Sequence, residues 1–173
     1  MNFVEPIRDR KKISQIKNLL RGQHRFRDLL LFTLGINSAL RISDLLQLKI
    51  GHLIDDHDRV RQRFSIKEQK RNKGHEIVIS TSIRDALNEY LAVFQGITRS
   101  PENFVFFNTK TNAYSKAIKR GQAWKFTVSI CQDVGLQGNY GTHSLRKTWG
   151  YHARMQGVGP DLPPQFVPII MLG

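Results

Sequence analysis

Between residues 59 and 80 the hydrophobic pattern changes period, and that change limits what the chain can become. On either side of this stretch, apolar residues recur every three or four positions, the spacing of one helix face. Within "RVRQRFSIKEQ" (59–69), Phe64 and Ile66 alternate with polar neighbours, and "HEIVIS" (75–80) brings Ile77, Val78 and Ile79 together. Alternation and β-branched side chains are strand signals. The polar turn "KRNKG" joins the two segments. A basic hairpin set among helices predicts a mainly α fold with a small antiparallel β-hairpin or sheet, an α+β chain with about three strands at most.

The helices are read from their stripes. Residues 8–22 carry Ile13, Ile16, Leu19 and Leu20 on one face and reach Gly22. Residues 24–34 form a Leu-rich second helix, which Gly35–Ala39 is expected to break. A short helix follows from about Ser43, with Ser43 as its cap. "TSIRDALNEYLAVF" (81–94) is helical, capped by Thr81 or Ser82, with Tyr90 on the apolar stripe. "SPENFVFF" reads as a loop leading to a short extended piece. Residues 114–135 return to helix and hold the single cysteine, Cys131, in an apolar setting. The stretch "GTHSLRKTWGYHARMQG" (141–157) is helical to Gly157. Beyond it, "VGPDLPPQFVPIIMLG" holds four of the six prolines and predicts an irregular tail. Residues 1–158 are therefore read as one domain. Residues 159–173 are read as an irregular Pro-rich tail.

Charge narrows the partners. Lys and Arg number 27 against 14 acids, a formal net charge of +13. Such a surface seeks a polyanion, with DNA or RNA ahead of an acidic membrane. The basic residues are interleaved with strands and turns and do not line one amphipathic helix, which argues against a membrane role. The longest apolar run, "LLLFTLGI", is too short to span a bilayer. One cysteine permits no internal disulfide, and the N-terminus turns polar at once, so a reducing, cytoplasmic location is expected.

Three local features carry chemistry. His143 and Arg146, three apart on a helix, share a face, where imidazole and guanidinium together can grip a phosphate. Arg41 lies among Leu40, Ile42, Leu45 and Leu46, where a charge needs a partner, and Asp44 is placed to orient it. The hairpin turn supplies Lys67, Lys70 and Lys73, any of which can reach a DNA phosphate. "IDDHDR" gathers Asp55, Asp56, His57 and Asp58, a possible divalent-ion site, but adjacent turn residues rarely all face one ion, and the segment reads as a solvated turn.

In this order and at these spacings, "GINSALRISDLLQLK", "IKEQKRNKGHEIVIS" and "GTHSLRKTWGYHARMQG" resemble the first Arg box, the β-hairpin lysine and the HxxR box of the tyrosine recombinases, the phage-integrase family. The resemblance runs from about residue 5 to residue 157, and it implies that residues 1–158 are a single catalytic-type DNA-binding domain, with the Pro-rich tail 159–173 replacing the C-terminal helices the family pattern expects. It implies metal-free phosphoryl transfer on double-stranded DNA, with no cofactor, and other recombinase subunits as further partners. By the same resemblance, Arg41 and Arg146 would hold the scissile phosphate. His143 would assist proton transfer, and Lys70, with Lys73 as the alternative, would protonate the leaving 5′ oxygen. The family's second His box and its nucleophilic tyrosine have no counterpart after the HxxR box, so the nucleophile is unknown among Tyr90, Tyr114, Tyr140 and Tyr151. "SAL" also stands where the family carries TGL before the arginine. The expectation is a site for DNA recombination or integration that is incomplete as it stands. The alternative is an inactive DNA-binding module or regulator derived from a recombinase.

Overall fold

The computed structural model describes residues 3–68, 70 and 74–159. Helix α1 (Arg10–Gly22) begins where the Asp9 carboxylate accepts the Lys11 amide at 2.8 Å. It lays Ile13, Ile16 and Leu20 on α2 (Phe26–Asn37). Helix α2 is the centre of the molecule. Leu29, Leu30, Leu31, Phe32, Leu34 and Ile36 are fully buried, so it is apolar all round and packs on α1 and on three helices that follow it.

Gly35 does not break α2, contrary to the sequence reading; the helix runs on to Asn37. The chain turns two residues later instead, at Ala39, whose φ of 56° lies in the left-handed region that glycine favours. This is the position at which "SAL" departs from TGL. Ser38 secures the turn by donating its hydroxyl to the Leu34 carbonyl at 2.6 Å. The short α3 (Ile42–Leu45) takes Arg41, not Ser43, as its N-cap residue, and α4 (Ile50–Leu53) follows separately.

Strand β1 (Arg63–Lys67) pairs antiparallel with β2 (Gly74–Val78), with Phe64 opposite Ile77 on the buried face. Helix α5 (Thr81–Val93) is capped by Ser80, one residue before the two residues expected to cap it. Tyr90 on this helix is fully buried and donates its hydroxyl to the Val105 carbonyl at 2.6 Å. A second small sheet joins β3 (Phe107–Asn108) to β4 (Ala113–Ala117). The described residues thus hold four strands in two pairs, more than the sequence predicted, and "YSKA" is strand where helix was expected. Tyr114, packed edge-on against Phe107, explains the difference: β4 is held by its partner strand and ring contacts over a local pattern too short to decide.

Helix α6 (Arg120–Asp133) buries Cys131, and α7 (Thr142–Met155) carries the HxxR box. Helix α7 also anchors the N-terminal segment. Thr148 Oγ1 accepts the Ile7 amide at 2.8 Å, His152 Nε2–H donates to the Ile7 carbonyl at 3.0 Å, and Lys147 Nζ donates to the Val4 carbonyl at 2.9 Å. Among the described residues, no helix is long and apolar enough to cross a membrane. The Pro-rich tail reading falls on residues 160–173, outside the described residues, as does Lys73.

Candidate nucleic-acid interface

The HxxR helix is positioned by its neighbours. Leu145, between His143 and Arg146, is buried against Gly35 of α2, where an added Cβ would lie 2.7 Å from its Cδ1. Helices approach this closely only where one side chain is absent. At the start of α7, Ser144 Oγ accepts the Gly141 amide at 3.0 Å, tying down the first turn. His143 stays exposed and Arg146 half-buried on that turn.

Charge converges on His143. Its pKa is held below the usual histidine value, first by partial burial and then by the positive charges of Arg120, Arg146, Lys147 and Lys70. Those four cations belong to α6, α7 and the hairpin turn. Arg120 Nη2 lies 3.4 Å from His143 Nε2. A guanidinium only donates, so Nε2 is the acceptor and the ring proton sits on Nδ1. Arg120 was not foreseen. It opens α6, and nothing in the local pattern of "KRGQAW" marks one of its basic residues above the others. Beside it, Val4, Gly121, Trp124, Gly141 and Thr142 line an open groove of about 360 Å³ that His143 and Arg120 border.

Arg41 joins the hairpin through an acid the sequence reading did not single out. Its Nη1 donates to Glu68 Oε2 at 2.8 Å, and Glu68 Oε1 accepts from His75 Nδ1 at 3.2 Å. Glu68 and His75 are both buried. Burial alone would raise the Glu68 pKa, but hydrogen bonds from His75 and Arg41, with their charge, hold it below the usual carboxylate value. Glu68 stands two residues before the exposed Lys70. Asp44 is buried on α3, where its backbone amide donates to the Arg41 carbonyl at 3.0 Å.

The acidic turn behaves as a turn. Asp55 Oδ1 accepts the His57 and Arg59 amides at 2.9 and 3.0 Å, and these bonds, led by Arg59, lower its pKa to about 2. Among the described residues no group of three or more His, Cys, Asp or Glu is arranged to hold a metal ion.

The tyrosines are engaged elsewhere. Tyr90 and Tyr114 belong to the aromatic packing around Phe107 and Phe94. Tyr140 faces Glu5 and Arg8; partial burial, with Glu5 and Cys131 adding, raises its pKa. Tyr151 packs against His152, with the Arg8 guanidinium over its ring at 5.8 Å.

Comparison with known proteins shows what the chain is similar to. A protein of Bacillus subtilis (strain 168) described as probable integrase/recombinase YoeC is 35% identical over 153 residues, 88% of this chain and 76% of that protein. The structure of XerA recombinase superposes with a TM-score of 0.70 at 15% identity, covering 99% of this chain and 56% of that one. XerH site-specific recombinase, bound to difH substrate in a pre-cleavage complex, gives a TM-score of 0.63 at 19% identity, covering 89% of this chain and 42% of that one. The chain thus spans about half the length of these solved recombinases and shares their fold. The phage integrase family matches residues 9–162, from the foot of α1 past the HxxR helix, and the chain belongs to that family.

Proposed function

We propose that this chain serves site-specific DNA recombination, binding double-stranded DNA through the surface around His143 and gripping a backbone phosphate there. The observation that carries the reading is the convergence of Arg120, Arg146, Lys147 and Lys70 on one imidazole, from three separate elements. A cluster of like charge repels itself unless a polyanion neutralises it. In this reading Arg41 and Arg146 hold the non-bridging oxygens and stabilise the charge that grows on them in the transition state. His143 is largely neutral near pH 7 because of its lowered pKa, so it can donate one proton to a phosphate oxygen and take another. Lys70, at the exposed turn, is the group proposed to protonate the leaving 5′ oxygen, and Lys73 is the alternative. The chemistry needs no metal in this scheme, because the guanidinium groups and the lysine supply the positive charge. The chain would work where the cell keeps its DNA, in a bacterial-type cytosol, and other recombinase subunits would assemble beside it.

The nucleophile is not assigned. Tyr90, Tyr114, Tyr140 and Tyr151 each have packing or charge partners other than the four cations. For this chain acting alone, that favours binding without strand cleavage.

Two assays test the reading. Fluorescence anisotropy with a labelled duplex, across a salt series, should show binding whose log–log salt slope falls by about 0.9 when Arg146 becomes Ala. Incubation with a nicked suicide duplex should give no covalent protein–DNA band on a denaturing gel. A slope untouched by Arg146→Ala and Arg41→Ala together would refute the phosphate grip. A covalent band that a single Tyr→Phe variant abolishes would assign the nucleophile and overturn the binding-only reading.

A further inference from the structure

We infer that Glu68 is a positioning residue for the phosphate grip: it fixes the Arg41 guanidinium from the hairpin side, and His75 in turn fixes Glu68. The inference rests on the reading of Arg41 as a phosphate ligand.

Three observations carry it. The first is geometry. Arg41 Nη1 donates to Glu68 Oε2 at 2.8 Å, engaging one end of a guanidinium that has five N–H donors. The second is burial. The side chains of Arg41 and Glu68 are 19% and 10% exposed, so the pair is shielded from solvent and its orientation is not averaged over rotamers as a surface pair would be. The third is the relay. His75 Nδ1 meets the other oxygen of the same carboxylate at 3.2 Å from the facing strand. A carboxylate accepts only, so the proton lies on Nδ1, and both Glu68 oxygens are held. The carboxylate is thereby fixed in plane by two donors, one on β2 and one on the residue that precedes α3.

The arrangement does two things for a phosphate ligand. It holds the guanidinium against the entropy of a long side chain. It also links Arg41 to the strand that leads to Lys70, so the two groups proposed to act on one phosphate are set by one hydrogen-bonded network. A carboxylate beside a DNA-binding surface weakens electrostatic binding when it has no structural task. The two roles therefore predict opposite outcomes for its removal.

The test uses the full chain and a duplex that the unmodified protein selects from a random pool, with affinity read by anisotropy. Glu68→Ala and Glu68→Gln remove the same charge. Only Gln keeps an acceptor for Arg41 and a donor for His75 after a tautomer exchange. Arg41→Ala should weaken binding by roughly tenfold, the loss of one charge-assisted contact. Glu68→Ala should weaken it by roughly threefold despite the added net positive charge, and Glu68→Gln should stay near the unmodified affinity. In the Arg41→Ala background, Ala and Gln at position 68 should bind alike. The inference fails if Glu68→Ala binds as tightly as the unmodified chain or tighter, if Gln loses as much as Ala, or if the Ala loss persists without Arg41. If Arg41→Ala itself leaves affinity unchanged, the phosphate reading of Arg41 falls and this inference with it. The Gln variant keeps the buried bonds, so it remains informative even if the Ala variant fails to fold.

Discussion

Gly35→Ala should destabilise this protein although alanine is the better helix former. An added Cβ at position 35 would sit 2.7 Å from Leu145 Cδ1 and 3.0 Å from Leu145 Cβ. The Cδ1 atom can swing aside, but the Cβ is fixed to the α7 backbone. Carbon atoms rest at about 3.5–4.0 Å, so α2 and α7 must part by about 0.5 Å at the point where the HxxR box is held. Overpacking of this kind costs about 1–3 kcal/mol, and replacing glycine in a helix returns about 1 kcal/mol, for a net loss of about 0–2 kcal/mol. Gly150 provides the internal control. It lies within α7 with nothing inside 4 Å of its added Cβ, so Gly150→Ala should stabilise by about 0.5–1 kcal/mol through helix propensity alone. At about 2–4 °C per kcal/mol for a chain of this size, the two variants should separate by several degrees in thermal unfolding. Duplex affinity should also fall for Gly35→Ala, because Leu145 lies between His143 and Arg146. If Gly35→Ala raises the melting temperature as much as Gly150→Ala, the close contact does not exist and the positioning argument for the box fails.

Lys17 is buried, donates to Ser82 Oγ at 2.6 Å, and has its pKa lowered to about 8, chiefly by desolvation and then by Arg21. Lys17→Met should therefore stabilise the fold at pH 7 by about 1–3 kcal/mol in urea unfolding. With a folded pKa below the unfolded one, the unfolded chain binds more protons between pH 8 and 10.5, so Lys17 makes stability rise with pH across that window. That rise should vanish in the Met variant. His152 gives a second pH effect: burial lowers its pKa, outweighing the opposing bond to Ile7, and Arg10 adds to the lowering. Its contribution is complete above 6.5 and is lost as pH falls below 6.5 toward the folded value, because the unfolded chain takes up the proton first. His152→Gln should flatten that part of the acid limb in pH-dependent unfolding, while His52 and His143, shifted in the same direction, keep the remainder.

The helices were legible where one face was apolar and long. The stripe of α1 and the stripe holding Tyr90 on α5 each predicted burial that the structure has. The boundaries failed where a tertiary contact decided them. Gly35 signals a break in any local reading, yet here it continues a helix because Leu145 needs the space its missing side chain leaves. Ser80 rather than Thr81 caps α5, a one-residue ambiguity among three neighbouring hydroxyls that propensity cannot resolve. Strand β4 was lost to the helix that follows it, because its ladder to β3 is a non-local fact.

The site shows the same division at the level of side chains. Histidine and arginine three apart share a face whenever the backbone is helical, and α7 is helical through both, so that spacing carried real information. The spacing of Arg41 and Asp44 carried less. Arg41 is the extended N-cap residue of α3, with ψ 152°, and the rule that residues three apart face each other applies only inside a helix. Nothing about its side-chain direction could be read from its neighbours. A carboxylate that it meets lies 27 positions along, one residue past a strand whose place depends on the hairpin register. That register is itself fixed by a local signal, the alternation that puts Phe64 and Ile77 on one buried face. Once Phe64 is inside, the period of two places Ile66 on the same face and carries it on to Glu68, which is buried as well. Glutamate at the next inward position, one residue past the strand, is a buried charge in search of a cation. Asking which acid the strand pattern forces inward, as well as which acid lies nearest in sequence, reaches Glu68 from the sequence alone.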